Sequence, residues 1–518
     1  MDLVHSCLHL ANQWSRYSLL NVAVTTWLIR GDYISEKLTN KKERQLFKLS
    51  KPELPPGQDN LPPGPKWLPF IIVLQSFNQT FHLLFRDLPQ KYGPVMLIRF
   101  GIDMVVISSK EAAVECLEGC SRPETVGSQD SGFAPPGEEW ETSRYLALIK
   151  LFNTKSQSFR YIREKESDLF VKKLSESASK RSPVNLTKTL FTLVSSTTFR
   201  VLSGQNLQDC KFIDEDSIAE PVKRFDMVTE LCSLPEMLPY GFGWLVDRIW
   251  GPSKRSKKEF SELHTFFQSI LDDRLESGGM VFENQDIIDL MIDEMKKQEK
   301  DMDSIKLTNE YLKTIITDMF LAQVNTSVIA LVWAMTELIR NPRVMKQVQD
   351  EIRTTLGDKK ERVTEDDLDQ LHYLKLVIKE TFRLHPPVPF LPGGGPWSGD
   401  KIQGYDIPTK ALIVISVYGI THDPKVWTDP DEFNPDRFVN SSVAYKRLEF
   451  ELLPIGSGKG ICPEMRMATV ELTLLNLLYF FDWGLPQGKR IKDIDLEDTG
   501  IVSLSKRRAL ELVPVLHH

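Results

Sequence analysis

The stretch ELLPIGSGKGICPEMRMATVEL, residues 451–472, carries one cysteine between a glycine-rich turn and a mostly apolar run. Gly456, Gly458 and Gly460 lie just before Cys462. Lacking Cβ atoms, they let the backbone bend and approach another group closely. Pro463 suits a first helical position, where a missing N–H costs nothing. Met465, Ala468, Val470 and Leu472 then read as a buried helix. Cys462 is therefore expected at a helix N-terminus, where unpaired N–H groups and the dipole favour an anion. Such a place suits a thiolate, either as nucleophile or as metal ligand. The alternative is a small buried residue at a tight turn.

The rest of the chain narrows the choice. Its 518 residues allow a large core, and 41% hydrophobic with 26% charged content is ordinary for a globular protein. A net charge of −7, without basic and aromatic residues interleaved, gives no reason to expect a nucleic-acid partner. Cysteines at 7, 116, 120, 210, 232 and 462 form no CxxC pair and no disulfide-like framework, so a reducing compartment is expected. The spacing of Cys116 and Cys120 is one helical turn, which more often means packing than zinc binding.

Near the N-terminus, YSLLNVAVTTWLI at 17–29 is an apolar run of thirteen residues between Arg16 and Arg30. A bilayer span needs ~20 residues. The run reads as a weak anchor, an interfacial helix or a signal-like core without an obvious cleavage site. A lysine-rich segment and two PPG turns follow, stiff and unable to continue a helix. Residues 1–60 read as an attachment arm and 61–518 as a single large folded domain.

That domain reads as mainly α with small peripheral β-sheets. SDLFVKKLSESASK, FSELHTFFQSILDDRLE and DIIDLMIDEMKKQ place apolar residues at helical steps. PVMLIRFG and MVVISS near residue 100, and ALIVISVYG at 411–419, read as strands. The longest helix is expected over Asn309–Arg340, about 48 Å and apolar through its centre, hence buried. A membrane span is the other reading, but Gln323, Asn325 and Thr326 sit mid-way along it. In YLKLVIKETFRLHPPVP, Glu380 and Arg383 lie three apart among apolar neighbours, so a buried pair is expected. The loop DPKVWTDPDEFNPDRF offers Arg437 to the same network.

In this order, these segments resemble the cytochrome P450 family of haem-thiolate monooxygenases, most closely its plant microsomal group. The resemblance covers nearly all of 61–518. It rests on LPPGP at 61, Trp140 and Arg144 as a WxxxR, the long helix with Thr326, ExxR at 380–383, FNPDRF at 433–438 and the Cys462 loop. It implies haem b with Cys462 as the axial thiolate and metal ligand. Gly458 would stand in the loop whose N–H groups face the sulfur. Trp140 and Arg144 would hold a propionate, and Glu380, Arg383 and Arg437 would form a structural triad. Thr326 would face bound oxygen, with Asn325 beside it able to position water; a hydroxyl bonded back to Ala322 is the alternative for Thr326.

The chain departs from the family pattern at several points. Ile455, Gly460 and Glu464 stand where relatives carry Phe, Arg and Gly. Gly393, Gly394 and Gly395 occupy a stretch where relatives carry an Arg. Two propionate partners are thereby missing, at ~1.5–3 kcal/mol each where buried, so weaker haem retention is expected, with Lys459 substituting in part. Glu464 suits the helix dipole but lies two residues from the thiolate. Gln323 and Asn325 replace a Gly and an acid, leaving proton delivery to Thr326 and solvent. Residues 121–137, which would border the substrate pocket, run shorter than usual.

The resemblance implies a monooxygenase that inserts one oxygen atom from O2 into a small lipophilic metabolite of plant specialised metabolism. Electrons would come from an NADPH-dependent reductase. The N-terminal arm would attach the enzyme to the endoplasmic reticulum membrane, on its cytoplasmic face. A degenerate, haem-poor homologue acting as a binding protein is the alternative, and a haem isomerase or dehydratase a third reading.

Overall fold

The computed structural model describes residues 60–65, 81–100, 102–119, 159–207, 252–276, 286–298, 308–357, 360–392, 401–408, 411–439, 465–499 and 503–517. The apolar run at 17–29, Trp140, Arg144, the glycines at 393–395, and the loop with Gly458, Gly460, Cys462 and Glu464 lie outside the described residues.

We number the main described elements in chain order. Helix α1 (Phe81–Asp87) precedes strands β1 (Val95–Phe100) and β2 (Ile102–Ile107), followed by α2 (Lys110–Gly119). Next come α3 (Arg160–Ser179), β3 (Val184–Asn185), α4 (Leu186–Ser203), α5 (Pro252–Glu276) and α6 (Ile287–Gln298). The long α7 (Asn309–Arg340), α8 (Pro342–Leu356) and α9 (His372–Leu384) form the centre. Strands β4 (Phe390–Pro392), β5 (Lys401–Ile402), β6 (Tyr405–Asp406) and β7 (Leu412–Ser416) follow. Helix α10 (Met465–Phe480), β8 (Phe481–Gly484), β9 (Asp498–Thr499), β10 (Ser505–Lys506) and β11 (Glu511–Leu516) end the described chain.

Strand alternation builds the main sheet, ordered β1-β2-β7-β4. Val95 and Leu97 of β1 join one buried cluster with Val105, Ile107, Ile413 and Cys116. Met96 and Ile98 join another on the opposite face, with Met104, Val106 and Phe85. Two covered faces require this period-two arrangement, and a one-residue slip would exchange them. Cys116 is thus a packed core residue of α2. The strand expected at 411–419 ends at Ser416, whose hydroxyl accepts from Gly419 N at 3.1 Å and caps a short helix, Val417–Thr421. A serine able to cap ended the strand that its apolar neighbours promised.

The segment after the arm is held closely to this sheet. Asn60 N donates to Asp406 Oδ2 at 2.9 Å, and Asp406 N to Asn60 O at 2.8 Å. Leu97 N donates to Pro63 O at 3.0 Å. A Cβ on Gly64 would fall 1.9 Å from the Leu97 carbonyl oxygen, so only glycine permits this approach.

The largest cluster is helical and centres on α7, which packs against α4, α5, α9 and α10. Val324, Leu331, Met335 and Leu338 are among its fully buried side chains. The helix is long and apolar enough to cross a membrane, but 83% of its most apolar window is buried inside the protein. Its apolar surface is spent on the core.

Candidate active site

Two carboxylate-guanidinium contacts stand at the centre of the site's scaffold. Glu380 and Arg383 lie one turn apart on α9 and both are 0% exposed. Arg383 Nε donates to Glu380 Oε2 at 2.7 Å, and Nη2 to Oε1 at 2.9 Å. Its other donors reach the carbonyls of Thr421 at 2.9 Å, Pro430 at 2.7 Å and Glu432 at 3.1 Å. A guanidinium has five N–H donors, and here each has an acceptor. Burying such a charge is tolerable only when it is paired and fully bonded. The indole of Trp427 adds a face, 5.4 Å from the guanidinium carbon.

Arg437 completes the group from a distant part of the chain. Its Nε donates to Glu380 Oε1 at 3.0 Å, and Asn434 N donates to the same oxygen at 2.8 Å. Arg437 also donates to the carbonyls of Thr428, Asp429 and Glu432, at 2.7, 3.2 and 3.2 Å. The loop 428–438 is therefore wrapped about two guanidinium groups. His422 lies beside them, and burial, with Arg383 adding, drives its imidazole well below the ordinary value. Its Nδ1 lies 3.0 Å from Tyr418 O.

Helix α7 carries the second group. Thr326 is buried, and its hydroxyl donates to Ala322 O at 2.6 Å. That bond uses the proton and leaves the oxygen's lone pairs able to accept. Asn325 Nδ2 donates to Ser503 Oγ at 3.2 Å, and Gln323 is buried on the same helix. The structure thus unites Glu380, Arg383 and Arg437 in one network, and places buried Thr326 next to half-buried Asn325 on α7.

Helix α10 carries the third. It begins at Met465, three residues after Cys462, and packs on α7 and α9. A helix amino terminus favours an anion nearby. On α10, burial pushes the Glu471 carboxyl up to about 7; Lys375 opposes this, while Glu365 and Asp369 add to it.

Sequence reasoning missed a further cluster. Trp333 of α7 stacks on His385, with centroids 3.9 Å apart and planes 5° from parallel. His385 Nε2 lies 2.9 Å from Glu337 Oε1, and Trp333 Nε1 donates to Leu504 O at 2.9 Å. Burial pushes the Glu337 carboxyl up, but His385 and Arg340 outweigh it and hold it below the ordinary value. The available signal was a tryptophan and an acid one turn apart in the apolar carboxy-terminal half of the helix.

The family model described as cytochrome P450 matches residues 62–512. Among relatives, the chain is 58% identical to "Cytochrome P450 71B7" of Arabidopsis thaliana, over 91% of this chain and 96% of that protein. It is 48% identical to "Bifunctional dihydrocamalexate synthase/camalexin synthase" of the same plant, over 85% and 93% of the two chains. A solved zebra fish cytochrome P450 with abiraterone superposes with a TM-score of 0.69 at 21% identity, covering 84% of this chain and 99% of that one. At that identity the likeness shows the fold.

Proposed function

The chain belongs to the cytochrome P450 family, a family of haem-dependent monooxygenases served by a redox partner, and from that premise we propose how its own residues divide the work. Haem bound through a cysteine thiolate supplies oxygen activation, the sulfur's electron density favouring O–O cleavage. Cys462 is the ligand, with Gly458 in the loop around it. Trp140 and Arg144 hold a propionate, where a guanidinium suits a carboxylate. Glu380, Arg383 and Arg437 fix the loop 428–438, from which the chain runs on to Cys462. Thr326, aided by Asn325, holds a proton donor at the oxygen-binding side.

The observation that carries this reading is the complete bonding of Arg383 and Glu380 at 0% exposure. Nothing in a surface ion pair would warrant five acceptors gathered from three segments. The substrate is a small lipophilic compound of plant specialised metabolism, and precursors of dihydrocamalexate and camalexin, the products in the relative's name, are the first to try. Electrons come from an NADPH-dependent reductase. Residues 1–60 attach the enzyme to the endoplasmic reticulum membrane, with the body on its cytoplasmic face.

The test is turnover of the full chain with an NADPH-dependent reductase, NADPH and ¹⁸O-labelled O2. The reading expects one labelled oxygen atom in the product. Product whose oxygen derives only from water contradicts it.

A further inference from the structure

Away from the scaffold of the haem site, three helices meet at a buried ionic cluster whose charges do not balance. Arg274 near the end of α5, Asp286 just before α6 and Asp289 in its first turn are 2, 3 and 7% exposed. Arg274 Nη2 donates to Asp286 Oδ2 at 2.7 Å and to the Ser203 carbonyl at the end of α4. Its Nη1 donates to Asp289 Oδ1 at the longer distance of 3.4 Å. Asp286 Oδ1 accepts from Asp289 N at 2.8 Å and so caps α6. Asp289 Oδ2 is buried with no hydrogen-bond partner among the described residues. One guanidinium thus faces two carboxylates, an excess of one negative charge away from water.

The surroundings are tightly fitted. Gly204, the residue after α4, has φ +68°, and a Cβ there would fall 2.8 Å from Asp286 Oδ2 and 3.4 Å from Arg274 Nη2. Only glycine permits both the conformation and the approach. Phe266 of α5 stacks on Phe199 of α4 with centroids 5.7 Å apart, and Phe267 meets Phe320 of α7 at 5.5 Å. The cluster therefore fastens the carboxy-terminal half of α5, which in turn covers one flank of α7.

A buried charge without a partner is costly, and such a site takes up a proton instead. Burial pushes the Asp286 carboxyl up to about 6; the Asp289 charge adds to this, while the Asp289 N–H and Arg274 oppose it. The charged groups acting on Asp286 are Arg274 from α5 and Asp289 from α6. From α4 come the Ser203 carbonyl and Gly204, and α7 meets α5 through Phe320.

We propose that Arg274, Asp286 and Asp289 form a proton-operated latch on α5. One proton on the carboxylate pair balances the cluster and closes it, and loss of that proton loosens the end of α5 from α4 and α6. In the closed latch the Asp286 carboxyl lies above its ordinary 3.8, so its contribution is complete below 3.8 and is lost as pH rises through 6. At neutral pH the latch is on its looser side, and acidification tightens it.

The experiment is amide hydrogen exchange of the full-length holoprotein at pH 5, 6 and 7, corrected for the intrinsic pH dependence of exchange. It is read on peptides covering 264–276 and 286–298, with β1 and β2 as the control. Protection in the two helices is expected to fall roughly three- to tenfold from pH 5 to pH 7, and that of β1 and β2 to change by less than about twofold. Asp289→Asn removes the surplus charge and keeps an oxygen for Arg274, so its α5 and α6 are expected to lose this pH dependence. Glu471 titrates in the same range and is untouched by this variant, so a difference between variant and parent belongs to the latch. Protection in the parent that does not change with pH, an equal change in β1 and β2, or the same pH dependence in Asp289→Asn overturns the proposal. The parent profile alone can refute it, so a variant that does not fold cannot shelter it.

Discussion

Glu380 Oε1 accepts from Arg383 Nη2 at 2.9 Å and from Arg437 Nε at 3.0 Å, so one buried oxygen joins its helical neighbour to a residue 57 positions further along the chain. Asn434 N supplies a third donor to that oxygen. The loop that precedes the Cys462 region is thereby referred to α9, and α9 to α7. Fixing that loop is a structural service with a functional consequence, since a ligand misplaced by a fraction of an ångström binds iron poorly.

Breaking this pair from one side is expected to be severe. Arg383→Lys offers three donors where five acceptors wait, and Glu380→Gln leaves two cations without their carboxylate. Each should cost ~3–5 kcal/mol, as for a buried pair deprived of one partner. Arg437→Lys, at the more exposed end, should cost less. Thermal unfolding with haem content measured alongside checks the order. Equal, small effects from all three would contradict the account.

Thr326→Val keeps the shape of the side chain and removes the hydroxyl. Because that hydroxyl bonds within its own helix, to Ala322 O, stability should fall by about 1 kcal/mol or less. The share of NADPH electrons recovered as hydroxylated product should fall severalfold, with hydrogen peroxide making up the difference. A variant with unchanged coupling would remove Thr326 from the proton path.

Glu471 gives a pH signature. Its carboxyl sits at about 7 in the fold against an ordinary 4.5. The folded protein therefore holds a proton that the unfolded chain has released, and this contribution to stability is present below 4.5 and lost as pH rises through 7. Glu471→Gln should raise the Tm by a few degrees at pH 8, and the gain should shrink toward pH 5. The same gain at both pH values would rule out burial of an ionising carboxyl as the cause.

Gly460→Arg tests the departures in the haem loop. Restoring a cation should slow haem loss severalfold, the scale of one charge-assisted hydrogen bond. Transfer of haem to an excess of apomyoglobin measures it. An unchanged rate would show that Lys459 or another group already serves the propionate.

Much of this was legible in one sequence, and the reasons are physical. The 32 residues of α7 declare themselves through a mostly apolar centre, and β1 and β2 through short apolar runs whose two faces are both buried. Glu380 and Arg383 are readable because one helical turn separates them. The hydrogen bonds of Asn325 and Trp333 to Ser503 and Leu504 span 178 and 171 residues, and no local periodicity encodes such contacts. The loop offers Arg437 as a candidate, but nothing in its spacing from Glu380 indicates a meeting, and its place in the triad came from the family resemblance. The end of β7 was missed because Ser416 acts through a cap rather than through hydrophobicity.

The most direct test is the carbon monoxide difference spectrum of the reduced full-length protein, with haem quantified and Cys462→Ser as the companion variant. The account predicts a red-shifted Soret band of the thiolate type at near-full haem in the parent, and its loss in Cys462→Ser. Haem present with an unshifted band in the parent, or a thiolate-type band that survives in Cys462→Ser, would contradict Cys462 as the ligand.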